Sequence, residues 1–241
     1  MIVVLSGEGP TDLGISATGS EISLGPDFLI GPMTKFVHQL LSPDFEWLIE
    51  FDCFRLVNKI SLAARARGLR PTRLPGKKHT GVSAPFFKLA RALAVIAEEL
   101  RVREAQDHAI AILFKDADDN SGTASGKYRE KWDAATDGFA VSDFVTGVPM
   151  IPRPISEAWL VCAFKIDPYQ HCEQLEDESR SERSPSGLKQ QLKEVLGEPA
   201  SKDALLARFD SGSIDAHRIV MPSFNDFKKR LAEVLTGRQP A

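Results

Sequence analysis

Apolar positions along the chain recur with two different periods. Met1–Leu5 (MIVVL) and Ala109–Phe114 (AIAILF) are short β-rich runs that stop abruptly at Gly- or Asp-rich turns, the pattern of buried parallel strands. Elsewhere the spacing is helical, as in Met33, Phe36, Val37, Leu40 and Leu41, or Phe87, Leu89, Ala90, Leu93, Ala94, Ile96, Ala97 and Leu100. The pattern predicts strands over 2–6, 47–52, 109–114 and 145–151. It predicts helices over 32–41, 55–67, from a Ser83 cap to about Arg103, and over 127–136 and 155–165. Three short helices follow at 187–196, 201–208 and 223–236, the last with a packing face of Phe224, Phe227, Leu231, Val234 and Leu235. Residues 14–30 and 69–83 read as loops, and the charged, Ser-rich 173–187 as a linker or surface loop. Strands alternating with helices argue for an α/β sandwich.

Composition narrows the class. At 241 residues and 43% hydrophobic, the chain has enough apolar matter for a sizeable core. No apolar run approaches the ~20 residues that span a bilayer, and no basic region precedes the first run, so neither a membrane span nor a signal peptide is expected. Cys53, Cys162 and Cys172 are odd in number, form no CxxC pair and suggest no disulfide framework, which points to a reducing cytoplasm. His171 and Cys172 with Cys162 fit no common zinc spacing. The net charge of −3 conceals an asymmetry: between Asp52 and Glu98 there is no acid, but there are ten basic residues. They include Arg73, Lys77, Lys78 and Lys88, and such a segment in an otherwise acidic chain suggests an anionic partner. The plainer reading of some of these charges is the solvated face of a helix.

The chemistry gathers at the two turns. The first run breaks at Ser6-Gly7-Glu8-Gly9-Pro10-Thr11-Asp12, the later one at Lys115-Asp116-Ala117-Asp118-Asp119. Parallel sheets present their sites at the carboxyl ends of strands, so Glu8, Asp116 and Asp118 are expected to converge. Crowded carboxylates need a cation or protons, and a hard divalent metal suits oxygen ligands. A lone DxD is equally a polar turn. A calcium loop is disfavoured, because Ser121 stands where it needs Gly and Lys127 where it needs Glu. A phosphoaspartyl phosphatase carries its acids after the first strand, where this chain has Glu8. Gly7-x-Gly9-x-x-Asp12 lacks the last glycine of the dinucleotide fingerprint, and GKKHTG is no P-loop.

A Glu-Gly turn after strand one and Asp-x-Asp after a later strand resemble the TOPRIM domain of topoisomerases, primases and overcoming-lysogenization-defect (OLD) type nucleases. The chain is most similar to small TOPRIM-like proteins of bacterial defence loci with an EGPT(E/D) start and a late glutamate–aromatic helix, here Glu8–Asp12 and Ser156-Glu157-Ala158-Trp159. The resemblance implies a mainly parallel sheet over residues 1–170 with a basic helical insertion at about 53–105, and a helical C-terminal extension over 171–241. It implies a Mg²⁺- or Mn²⁺-dependent nuclease acting on DNA or RNA, a candidate anti-phage effector with an ATPase partner. Glu8, Asp116 and Asp118 would be catalytic and metal-binding, Asp12 and Glu157 would complete a second metal site, and Arg73, Lys77, Lys78 and Lys88 would meet phosphate. The alternatives are a non-catalytic TOPRIM-like binding module and a metal-dependent phosphotransferase on a small phosphate or nucleotide. For Glu157 the plain reading is a first-turn helix acid, and for Trp159 a core residue.

Overall fold

A computed structural model describes residues 1–9, 11–41, 51–70, 72, 79–117, 124–178, 187–197 and 199–237. Five strands make the central sheet in the order β3 (Ile22–Leu24), β5 (Phe54–Val57), β1 (Ile2–Gly7), β6 (Ala109–Phe114), β7 (Gly147–Met150). The last four are mutually parallel, and β3 runs antiparallel to β5 at one edge. A separate antiparallel ribbon pairs β2 (Gly14–Ser16) with β4 (Phe28–Ile30).

Alternation within the strands feeds two cores. Val3, Leu5, Phe54, Leu56, Ile110, Ile112, Phe114, Val148 and Met150 point into a first layer. That layer comprises α1 (Pro32–Leu41), α5 (Glu157–Phe164), α6 (Leu188–Leu196), α7 (Lys202–Asp210) and α8 (Pro222–Leu235). Ile2, Val4, Val57, Ala111 and Leu113 face a second layer of α2 (Lys59–Gly68) and α3 (Ala84–Arg103), with α4 (Ala124–Ala140) beside them. A sheet buried on both faces has near-continuous apolar strands, which is why MIVVL and AIAILF show no polar alternation.

The chain is therefore an α/β protein with a mostly parallel sheet flanked by helices, as expected. Residues 53–105 hold β5, which lies between β3 and β1, and the α2–α3 pair that covers one face. The C-terminal helices α6 to α8 pack into the first-layer core.

Several local expectations are corrected. Residues 14–30 are not a bare loop but carry β2, β3 and β4, strands of three residues each, too short for a periodicity to show. The expected strand at 47–52 falls largely outside the described residues; the described strand starts at Phe54. Helix α2 starts at Lys59, not 55, because 54–57 belong to the sheet and the Asn58 side chain caps the helix by accepting from Ser61 N at 2.8 Å. Ser83 precedes α3 but does not cap it; its hydroxyl donates to the Thr80 carbonyl at 3.1 Å. Within 173–187, the described part includes a 3₁₀ turn over Cys172–Asp177 that buries Leu175 and Glu176.

The cysteine expectation is overturned. Cys162 and Cys172 form a disulfide, with Cα atoms 5.4 Å apart. The chain reverses after α5, where Tyr169 N donates to the Cys162 carbonyl at 2.8 Å, and a spacing of ten residues gives no sign of that reversal. The cysteines thus no longer argue for a reducing compartment. Among the described residues, no helix is long and apolar enough to cross a membrane.

Candidate metal centre at the carboxyl edge of the sheet

Strands β1 and β6 pair along six residues, from Ile2–Ala109 to Gly7–Phe114, so they leave the sheet side by side. From β1 the chain reaches β5 on one side, then returns across the second layer to β6 on the other. That reversal opens a crevice beyond the carboxyl ends of β1 and β6, the usual ligand position in open α/β sheets. Glu8 is the first residue past β1 and Asp116 the second past β6.

The turn around Glu8 depends on its glycines. A Cβ on Gly7 would lie 1.7 Å from the Phe114 carbonyl oxygen, so only glycine lets β1 pass this close to β6. Gly9 has φ +80°, and its carbonyl accepts from Asp12 N at 3.1 Å. This closes a turn that swings Asp12 back toward the crevice. The Asp12 and Leu13 carbonyls accept from Met33 N and Gly31 N at 2.9 and 2.8 Å, which fixes the turn to the start of α1.

Ser156 ties two acids together. Its backbone N donates to Asp116 Oδ1 at 3.0 Å and its hydroxyl donates to Asp12 Oδ1 at 3.1 Å. Ser156 is in place because β7 continues the ladder past its end: Lys115 N and Ala117 N donate to the Met150 and Pro152 carbonyls at 3.1 and 2.9 Å. Glu157 follows in the first turn of α5, where the helix dipole also favours an acid, so the plain reading and the functional one coexist.

The carboxylates feel one another. Burial drives the Asp116 carboxyl up to about 8, and the nearby negative charges of Glu157, Asp12 and Glu8 add to that. Asp12 and Glu157 are also raised, both mainly by burial, with Lys189 pulling each of them back. Glu8 lies between two cations, Lys115 Nζ at 2.6 Å and Lys59 Nζ at 3.8 Å.

Glu8, Asp12, Asp116 and Glu157 are thus brought within one another's electrostatic field. Even so, among the described residues no group of three His, Cys, Asp or Glu side chains is gathered tightly enough to hold a metal ion. The two observations differ in range: charges interact over many ångströms, whereas a coordination shell needs oxygens within ~2.1 Å of Mg²⁺. Asp118, Arg73, Lys77 and Lys78 lie outside the described residues. Lys88 is exposed on α3, two residues from Phe86, whose ring lies 5.4 Å from Lys115 Nζ, so the start of α3 borders the site.

Part of the basic segment is engaged by other groups of the same chain. Arg55 pairs with Glu104 at 2.8 Å, Arg65 with Glu99, and Arg91 donates to the Arg70 carbonyl at 2.5 Å. Lys59, counted earlier only as one charge among ten, is instead a neighbour of Glu8.

Sequence reasoning missed Lys115, the Ser156 hydroxyl and Lys131. Lys131 is buried on α4 and donates to the Ala117 carbonyl inside the acidic turn. Lys115 and Ser156 had a signal, each being adjacent to a predicted acid; Lys131, fourteen positions past Ala117, had none.

Lys115→Met removes the closer counter-charge of Glu8 and is expected to tighten Mg²⁺ binding by about tenfold, as one fewer cation competes for the same oxygens. Isothermal titration of wild type and variant measures this, and unchanged affinity would mean that Glu8 does not sense the ion.

No protein-family model matches the chain, and no curated protein or solved structure matches it either. Its class is therefore set by fold and site: an α/β protein with acids clustered where its mostly parallel sheet changes direction.

Proposed function

We propose that this chain is a Mg²⁺- or Mn²⁺-dependent phosphodiesterase that cleaves nucleic acid, built on a TOPRIM-like sheet. One observation carries the reading: Asp116, just past β6, lies in the negative field of Glu157, Asp12 and Glu8, and burial raises the carboxyls of Asp116, Asp12 and Glu157. Carboxylate oxygen is the donor type a hard divalent ion prefers, and a bound ion would relieve the mutual repulsion. Supporting the TOPRIM-like assignment is the order of motifs, a Glu-Gly turn after β1 and an acidic turn after its parallel neighbour β6.

In this reading Asp116 and Asp118 hold the ion, Asp12 and Glu157 hold a second, and Glu8 is a ligand or proton carrier. A bound ion would polarise water and offset charge on the phosphodiester. Ser156 keeps Asp116 and Asp12 oriented through its two hydrogen bonds. With an ion bound, Glu8 would be a ligand in place of its ion pair with Lys115, and the Lys115 ammonium would then be available to phosphate oxygen. Lys59, at the first position of α2, lines the same approach.

The test is a panel of end-labelled single-stranded DNA, duplex DNA and RNA, incubated with Mg²⁺, Mn²⁺ or EDTA. The expected result is cleavage of at least one substrate with metal, none in EDTA, and none by a folded Asp118→Ala variant. Cleavage that persists in EDTA or in Asp118→Ala, or none under any condition, contradicts the proposal.

A further inference from the structure

Beside the acid cluster lies a cleft of about 470 Å³ between α5, α6 and α7. Asp12, Ser156 and Glu157 line it, so the cleft shares residues with the acid cluster. Lys189 on α6 and Lys202 at the first position of α7 line it as well, and Leu160, Leu192 and Leu205 provide apolar wall. This volume falls within the range of small-molecule pockets, ~300–1,000 Å³, and is bounded by side chains from three helices. An extended nucleic-acid backbone needs an open groove instead. Two ammonium groups suit a phosphate, with Lys189 also serving the Asp12 and Glu157 carboxyls, and an apolar wall suits the face of a base.

We infer that this cleft is a subsite for a nucleoside monophosphate, with the phosphate between Lys189 and Lys202 on the acid-cluster side and the base against the leucines. The inference rests on the metal-dependent reading above, since Asp12 and Glu157 belong to both the cleft and the cluster. The same chemistry has two sources, a free nucleotide or the phosphorylated end of a nucleic-acid strand. In the second case the cleft fixes where on the strand cleavage begins.

The experiment measures binding of AMP, adenosine and inorganic phosphate to the full chain with Mg²⁺ by isothermal titration, alongside the cleavage assay. AMP is expected to bind at least about tenfold more tightly than adenosine or phosphate, because neither half fills both ends of the cleft. Lys202→Glu and Ala200→Trp, the latter placing a large ring at an exposed lining position, are each expected to weaken AMP by about tenfold or more. Lys229→Glu, exposed on α8, leaves AMP binding unchanged. A glutamate in the first turn of a helix is favoured, so Lys202→Glu folds and keeps the test valid even where Ala200→Trp fails.

Equal binding of AMP and phosphate, or AMP binding indifferent to both cleft variants, overturns the inference. Competition with AMP by an oligonucleotide bearing a 5′-phosphate, but not by its 5′-hydroxyl form, identifies a strand end as the source. No competition by either identifies a free nucleotide. AMP binding without cleavage counts against the nuclease reading and leaves the cleft assignment standing; cleavage without AMP binding does the reverse.

Discussion

Asp116→Asn, in metal-free buffer at pH 8, is expected to melt several degrees above the wild-type protein while losing Mg²⁺-dependent cleavage by about a thousandfold. Both halves follow from the burial of one carboxyl among three others. In the unfolded chain Asp116 ionises near its ordinary 3.8; in the folded chain burial and its acidic neighbours push it up to about 8. Below pH 4 the group is neutral in both states and contributes no penalty. Between roughly 4 and 8 the unfolded chain has released the proton while the folded chain keeps it, so stability falls as pH rises. Asparagine accepts the same bond from Ser156 N through its Oδ1 and carries no charge. Its advantage should therefore be near zero at pH 4 and full by pH 8. Under the proposed function Mg²⁺ should reverse the ranking, because a bound ion would stabilise ionised Asp116 and give the variant little. Thermal melts of both proteins at pH 4, 6 and 8, with and without Mg²⁺, measure this. A variant less stable than wild type at pH 8 without metal would mean that the protein itself compensates the Asp116 charge.

The second large effect is structural. Trp159→Ala should cost about 3–5 kcal/mol in urea unfolding, enough to remove much of the stability of a chain this size. Trp159 is fully buried at the centre of an aromatic cluster, 4.7 Å from the Phe224 ring and 6.0 Å from Phe227. Phe36 stands edge-on at 6.4 Å. The cluster joins α1, α5 and α8, so a cavity there loosens three helices at once. It also strips the Ser223 hydroxyl of the donor it accepts from, indole Nε1 at 3.0 Å. Trp159→Phe keeps an aromatic ring but loses the hydrogen bond and part of the indole volume, and about 1–3 kcal/mol is expected for it. A loss below 1 kcal/mol for the alanine variant would show that α8 contributes little to the fold.

What the sequence disclosed depended on how strongly each element is patterned. Strand β6 matches its expected range, 109–114, because six successive apolar residues bounded by His108 and Lys115 leave little choice. Helix α1 likewise matches at Pro32–Leu41, with proline opening and Ser-Pro after it. The ribbon of β2 and β4 was invisible: three-residue strands carry no period, and Ile15 and Leu29 face outward where a core pattern would place them inward. The Cys162–Cys172 bond depends on a chain reversal that no spacing rule encodes.

At the candidate site, residue types and order were readable because strand ends in parallel sheets are where side chains meet. That brought Glu8, Asp12, Asp116 and Glu157 into one field. What holds them was less readable, since Lys115, Lys131 and Ser156 act through distances and burial, not through a motif. Net charge per stretch proved a blunt guide: Arg55 and Arg65 are paired within the fold, whereas Lys59 stands beside Glu8.

The central claim is that a divalent ion sits among these carboxylates. Anomalous diffraction from crystals soaked in millimolar MnCl₂ tests it most directly. The account predicts a manganese peak in direct contact with a carboxylate oxygen of Asp116, with Glu8 turned away from Lys115. Crystals with Asp116 and Glu8 still bonded solely to Ser156 and Lys115, and no manganese in the crevice, would contradict it.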